Sequence, residues 1–153
     1  MYVLALFGVV FAALASLAFV DGGMSALVYY LDLPSLVLIW LITIPVLASA
    51  RLLKHFNNAF SIAFGKKSRT LEEMQKAREA VELARKTLLA AGAFNCLFAI
   101  VVILASIGDY SKLGPNLAVA ILTLLYAVVF DILLLPVSSK IKAKEITYIH
   151  KDE

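Results

Sequence analysis

One apolar stretch of the chain carries a narrow polar face. Between Pro115 and Pro136 most side chains are Leu, Ile, Val or Phe, but small and polar residues recur at helical spacing: Asn116, Ala120, Thr123, Ala127, Asp131 and Ser138. At about 100° per residue these positions share an arc of about 80° on a helix. Asp131 is the acidic residue in this run, and an intramembrane carboxylate belongs either to an ion pathway or to a buried ion pair. Both interpretations are open, the second with Lys140 or Arg85 as the partner.

A second apolar stretch, residues 88–107, has a looser polar face. It consists of Ala91, Asn95, Ala99 and Ser106, with Cys96 beside Asn95. Two helices of this kind either press their small faces together or line a cavity that holds water and a partner helix. The candidate ion-pathway residues are therefore Asn95, Cys96, Thr123, Ala127 and Asp131, and close helix packing is the alternative for each of them.

Other chemistry is not indicated by the residue types. The chain has one cysteine and two histidines, His55 and His150. That inventory cannot build a disulfide or a cysteine–histidine metal site. The sequence also has no nucleophile–base pair and no phosphate-binding loop. We therefore predict neither an enzyme nor a cofactor, and no nucleic-acid partner.

The composition indicates a membrane protein. Of 153 residues, 62% are hydrophobic and 16% are charged, and the mean hydropathy is +0.91. A soluble domain has about half apolar and a quarter charged residues, so a soluble enzyme, a disordered protein and a disulfide scaffold are excluded. A transmembrane helix needs about 20 apolar residues. The chain is therefore predicted to be all-α, a single membrane domain over residues 1–153 with spans at about 2–20, 34–55, 88–107 and 115–136. The first stretch also has the length of a signal peptide, but no Lys or Arg precedes its apolar core.

The basic residues predict the orientation. Nine of the 14 lie in residues 51–87 and four in the tail, residues 137–153, whereas the first connection has none and the third has only Lys112. A four-span topology places the two basic segments on one side of the membrane. The positive-inside rule assigns that side to the cytoplasm, together with both termini.

Helix-end signals predict a cytoplasmic hairpin between the second and third spans, over about residues 56–87. Pro34 and Pro115 suit the first turns of the second and fourth spans. An apolar stripe at helical spacing ends at Gly65, which is typical of a C-terminal cap; its members are Leu52, Leu53, Phe56, Phe60 and Phe64. The second helix is therefore expected to continue about ten residues past the membrane. Pro45 and Pro136 are the expected helix breaks.

The returning helix of this hairpin has its own signals. Thr70 and Glu73 form a capping box, and an apolar seam leads into the third span: Leu71, Met74, Ala77, Val81, Ala84 and Leu88. Glu72–Lys76 and Glu82–Lys86 are predicted i,i+4 ion pairs. The connecting turn carries Lys66, Lys67 and Arg69. Its charges either solvate the hairpin or attract anionic lipid headgroups at about 1 kcal/mol each.

Two segments resemble MotA-type flagellar stator subunits of the MotA/TolQ/ExbB proton-channel family. Residues 21–36 read DGGMSALVYYLDLPSL, in which a glycine pair is followed by an aromatic, Asp and Pro-Ser at the start of the second span. Residues 109–126 read DYSKLGPNLAVAILTLLY and are similar to the segment that opens the fourth span in those proteins. Pro136 is similar to the proline near the inner end of that span. The large cytoplasmic domain that engages a flagellar rotor has no counterpart here.

The resemblance implies a homopentamer in a prokaryotic inner membrane. It also implies a single-span MotB/TolR/ExbD-like partner dimer in the central pore, where ion flow past the partner's carboxylate drives movement. The third and fourth spans would then line the pore, with Gly114 and Pro115 at its mouth and Thr123 in its hydroxyl lining. Family members have a threonine pair before the tyrosine, whereas Leu124 follows Thr123 here, and Asn95 and Cys96 stand where a threonine is usual in the third span.

Three functions are therefore open from the sequence. The first is an ion-driven motor or proton-channel subunit that surrounds partner helices. The second is a non-conducting oligomeric scaffold with the same architecture. The third is a lipid-binding membrane module that acts through the basic hairpin.

Overall fold

The computed structural model describes residue 8 and residues 32–65, 70–105, 108 and 110–150. These residues form four α-helices and a 3-10 turn, with no strand: α1 Leu33–Ser49, α2 Leu53–Phe64, α3 Leu71–Ala105, the turn Tyr110–Lys112, and α4 Leu113–Ile149. The all-helical prediction is confirmed for this part of the chain. Apart from residue 8, the predicted first span (residues 2–20) lies outside the described residues. So do most of the following connection, Ser106 and the turn residues Lys66, Lys67 and Arg69.

Two of the described helical segments are long and apolar enough to cross a membrane. They are Leu71–Ala105 and Tyr110–Ile149. The pair Leu33–Ser49 and Leu53–Phe64 would add a third crossing if the two helices are taken as one bent span. The described chain thus has two or three candidate spans, as expected of a membrane protein.

The helix α3 starts as its sequence predicts. The Thr70 hydroxyl accepts a hydrogen bond from the backbone N–H of Glu73 at 3.3 Å, which satisfies one of the free donors of the first turn. One turn further on, Lys76 and Glu72 form an ion pair at 2.5 Å. The hydrogen bond that Lys76 donates lowers the pKa of the exposed Glu72 carboxyl.

The predicted seam of α3 is buried. Met74, Ala77, Val81, Ala84 and Leu88 are all inaccessible or nearly so, and they belong to the core shared with α4. The second predicted ion pair is not formed: Lys86 is exposed and Glu82 is half-buried, and no bond between them is found among the described contacts. Both side chains remain available to other partners.

The second predicted span does not continue straight into a hairpin helix. The chain breaks at residues 50–52, and α2 leaves α1 at an angle of 99°. Arg51 has a φ of 58°; its N–H bonds the carbonyl of Ala48 at 3.0 Å, and the N–H of Leu52 bonds the carbonyl of Leu47 at 2.9 Å. This pair of bonds is a Schellman motif, which satisfies the last carbonyls of α1 and turns the chain sharply.

Neither proline breaks its helix. Pro45 lies within α1, which ends four residues later, and Pro136 lies within α4, which continues to Ile149. The predicted end of the fourth span at Pro136 is therefore not a helix end, and most of the predicted tail is helical. Packing explains the continuation. Val137 and Ile141, which follow the proline, are fully buried in the core. Their burial stabilises the helix by more than the loss of one backbone hydrogen bond destabilises it.

The helix α2 packs against α3 and α4, near the start of α3 and the end of α4. It ends at Gly65 as predicted, although through extended backbone (φ −73°, ψ 156°) rather than a left-handed cap. Lys144 of α4 donates hydrogen bonds to the carbonyls of Ile62 and Gly65 at 2.7 and 2.6 Å. A cation at the C-terminal end of a helix also complements the helix dipole. Lys140 lies over the Phe64 ring, 4.2 Å from its centroid.

The bend gives a prediction at Arg51. A residue with a side chain in the left-handed region costs about 1 kcal/mol relative to glycine. We therefore expect Arg51→Gly to raise the free energy of unfolding by about that amount, measured by thermal or SDS-induced unfolding in detergent. The control Arg51→Ala removes the same charge but keeps the Cβ atom, so it should bring no gain. Equal stabilities of the two variants would contradict the bend as described.

Candidate functional site

The predicted polar faces meet along one interface, between α3 and α4. The contacts run in opposite directions along the two helices: Gly92 meets Ala127, and Arg85 meets Asp131. Closer to the start of α3 and the end of α4, Arg78 meets Glu145. The two helices are therefore antiparallel neighbours over most of their length. This interface, from residue 96 to residue 78 of α3, is called the polar seam below.

The helices approach most closely at Gly92. A Cβ atom placed there would lie 2.4 Å from the Cβ of Ala127 and 3.3 Å from the backbone oxygen of Thr123. Such separations leave no room for a side chain, and so none for a water molecule. Small residues at a membrane-helix interface allow this contact of backbones. At Gly92 the two helices are therefore in direct contact, with no space between them.

One helical turn after Ala127 on α4, Asp131 has a counter-charge. Arg85 donates two hydrogen bonds to it, from Nε to Oδ1 at 2.7 Å and from Nη2 to Oδ2 at 3.3 Å. The side chains are 24% and 15% exposed. Parallel donation of this kind is the strong, orienting form of an arginine–carboxylate pair. Of the two partners considered for Asp131, the structure selects Arg85, since Lys140 contacts Phe64 instead.

The other predicted pathway residues are mostly packed within the seam. Thr123 is buried, and its hydroxyl donates to the carbonyl of Ala120 in the preceding turn at 2.7 Å. Ala127 is fully buried, and Cys96 is buried as a free thiol. Asn95 is half-buried, and its side-chain nitrogen is inaccessible and makes no hydrogen bond within the described chain. In a single chain these side chains therefore fill an interface between two of its own helices.

The predicted pore mouth lies apart from the seam. Gly114 and Pro115 are exposed in the first turn of α4, and Asn116 beside them is exposed too. A Cβ atom at Gly114 would meet nothing within 4 Å. These residues have no packing role among the described helices.

The part of the seam nearest the start of α3 contains a second charged contact. Arg78 Nε lies 3.4 Å from Oε2 of Glu145, whose side chain is 10% exposed. That oxygen is buried and accepts no hydrogen bond in the described structure, so the contact is ionic rather than a formed hydrogen bond. Together with the pair of Arg85 and Asp131, this contact holds α3 and α4 in one register, here outside the apolar stretch.

Three contacts of the site were not anticipated from the sequence, and the ion pair of Arg78 with Glu145 is the first of them. Gly92 could have been found, because it continues the seam of Ala84 and Leu88 by one more turn. The backbone N–H of Asp32 donates to the Tyr126 hydroxyl at 2.9 Å, which ties the start of α1 to the middle of α4. No local pattern signals a contact between residues 94 positions apart.

The described residues offer no metal site, since they hold no group of three or more His, Cys, Asp or Glu side chains in reach of one ion. Comparison with known proteins adds no identification: no protein-family model, no curated protein and no solved structure matches the chain.

The closest contact of the seam is testable. Replacing glycine by alanine inside a helix normally stabilises it by about 1 kcal/mol. At Gly92 we expect the opposite sign, a loss of about 1–3 kcal/mol, because the added methyl group overlaps Ala127. The double variant Gly92→Ala/Ala127→Gly should recover most of the loss. Detergent-based unfolding of the three variants measures this, and a stabilising Gly92→Ala would show that the helices do not approach so closely.

Proposed function

We propose that the chain is the membrane subunit of a MotA/TolQ/ExbB-like ion-driven motor or proton channel. In this proposal four spans with both termini in the cytoplasm assemble as a homopentamer in a prokaryotic inner membrane, around the transmembrane helices of a single-span partner dimer. The observation that carries the proposal is the continuity of α3 and α4 beyond the membrane. The helices have 35 and 37 residues, or roughly 52 and 55 Å, whereas the hydrocarbon core is only about 30 Å thick.

Such a pair can transmit force from the membrane to the cytoplasm. Neither helix has an interruption at the boundary, and the cytoplasmic half is packed through Ala77, Ala80 and Ile141. The ion pair of Arg85 with Asp131 lies at the inner end of the apolar stretch and prevents sliding of one helix along the other. A displacement imposed on the outer half therefore moves the inner half as one body.

The seam geometry refines the ion path of this proposal. Because Gly92 and Ala127 close the space between α3 and α4, the path would run between subunits and the partner helices rather than through the seam. The proton-carrying carboxylate then belongs to the partner. Asp131 serves as an anchor between two helices of one subunit, and Thr123 as a packing residue.

A specific observation favours a second candidate, the non-conducting oligomeric scaffold. Beyond Asn116 in the first turn of α4, the large side chains that α3 and α4 expose along the apolar stretches are hydrophobic: Phe94, Leu97, Phe98, Val101, Val119, Ile121, Leu125 and Val128. An aqueous pathway needs polar side chains or partner groups along it. A scaffold with a lipid-filled or closed centre needs none.

Proton flux into liposomes separates the two candidates. The complex is purified in mild detergent with the partner it carries, and it is compared with the chain purified alone. Under a potential of about 100 mV, which supplies about 2.3 kcal/mol per charge, the motor proposal expects acidification only with the partner-containing complex. Thr123→Val should leave the flux unchanged, because that hydroxyl is bonded within its own helix. A homo-oligomer without a partner and without flux would favour the scaffold and overturn the motor proposal.

A further inference from the structure

A groove with two chemically different sections runs between α1 and α3. Its apolar section has a volume of about 570 Å³ and is lined by Ile42 and Val46 of α1 and by Ala90 and Phe94 of α3, among others. Its charged section, about 470 Å³, lies at the bend after α1. Lys86 lines both sections. The two sections are therefore parts of one groove.

The boundary between the sections coincides with the edge of the apolar stretch of α3. Lys86 is its last charged residue before an uncharged run that extends to Ala105. Phe94, at the far end of the apolar section, lies roughly 12 Å from Lys86 along the helix axis. The apolar section is thus at the depth of acyl chains, and the charged section is at the depth of lipid headgroups.

The charged section holds side chains that the described structure leaves unpaired. Its ionisable members are Lys76, Glu79, Glu82 and Lys86. Lys76 is bonded to Glu72 outside the groove, whereas Glu79, Glu82 and Lys86 make no ion pair with any described residue. Counting only partners within the described residues, one unpaired cation therefore lies beside two unpaired carboxylates in this section. Glu82 and Lys86 are one helical turn apart.

We propose that this groove binds one phosphatidylethanolamine molecule of the cytoplasmic leaflet. The phosphate is held by Lys86, the primary ammonium by Glu82 and Glu79, and one acyl chain occupies the apolar section. The charges of the three unpaired side chains determine which lipid headgroup fits the site. An anionic lipid would bring its phosphate beside two carboxylates with a single free lysine, and a choline headgroup has no N–H to donate to them.

The bound lipid would lie between α1 and α3, beside the Schellman bend that follows α1. Its site is separate from the basic turn residues Lys66, Lys67 and Arg69 that the sequence suggests for anionic headgroups. The proposal requires the chain to lie in a membrane, but it does not depend on ion conduction.

Native mass spectrometry of the full chain tests the headgroup. The protein in mild detergent is incubated with equimolar palmitoyl-oleoyl phosphatidylethanolamine, phosphatidylcholine and phosphatidylglycerol. We expect one phosphatidylethanolamine adduct per chain, at least fivefold more abundant than either competitor. An equal or larger phosphatidylglycerol adduct, or a ladder of adducts without headgroup preference, would overturn the proposal.

Matched variants test the two sections separately. Glu82→Gln should reduce the preference for phosphatidylethanolamine over phosphatidylcholine at least threefold, and Lys86→Gln should lower both adducts. The control Lys142→Gln, an exposed lysine of α4 outside the groove, should change neither. Ala90→Trp fills the apolar section and should abolish the adduct, whereas Ala118→Trp, on an exposed position of α4, should not. Loss of binding in either control to the same extent, or full binding by Ala90→Trp, would contradict the site.

Discussion

A carboxylate on an otherwise apolar membrane helix requires a counter-charge, and in this chain the pair of Asp131 with Arg85 supplies it. The two hydrogen bonds fix both the distance and the rotation of α4 against α3. An unpaired charge at this depth would cost several kcal/mol, so other registers of the two helices are strongly disfavoured. This register places Gly92 opposite Ala127, the contact at which only glycine fits. It also brings Arg78 to Glu145, near the end of α4.

The remaining helices are attached to this pair. Trp40 of α1 contacts the ring of Phe130 on α4 at a centroid distance of 5.4 Å and that of Phe56 on α2 at 6.5 Å, both edge-on. The Tyr126 hydroxyl holds the start of α1, and Lys144 holds the end of α2. Three of these anchoring residues lie on α4, and both α1 and α2 also pack against α3, so their placement follows from the α3–α4 pair. The groove between α1 and α3 is a consequence of the same arrangement.

The sequence predicted the features that depend on neighbours along one helix. The seam from Met74 to Leu88, the Thr70 cap and the end of α2 at Gly65 are confirmed because spacing and capping are local properties. The bend at Arg51 carries no such signal, since glycine rather than arginine usually occupies that position of a Schellman motif. The sequence also identified the small polar face of α4. It could not decide whether that face closes against α3 or lines a pore, because small residues serve both purposes.

Whether the small polar face of α4 closes against α3 or lines a pore matters for function. In the proposed motor or channel, with Thr123, Ala127 and Asp131 placed in the seam, an ion path would use surfaces that the chain shares with other molecules. We propose that the subunit would then act as a stiff support through its two long helices. In that proposal the Asp131 carboxylate contributes to rigidity rather than to transport.

A double-mutant cycle on Arg85 and Asp131 tests this account most directly. The free energies of unfolding in detergent are compared for Arg85→Gln, Asp131→Asn, the double variant and the unchanged protein. If the pair joins α3 to α4 as described, the single variants each destabilise, and the double variant is less destabilised than their sum by about 1–2 kcal/mol. Strictly additive effects would show that Asp131 is not engaged by Arg85, and the carboxylate would again be free to take part in an ion path.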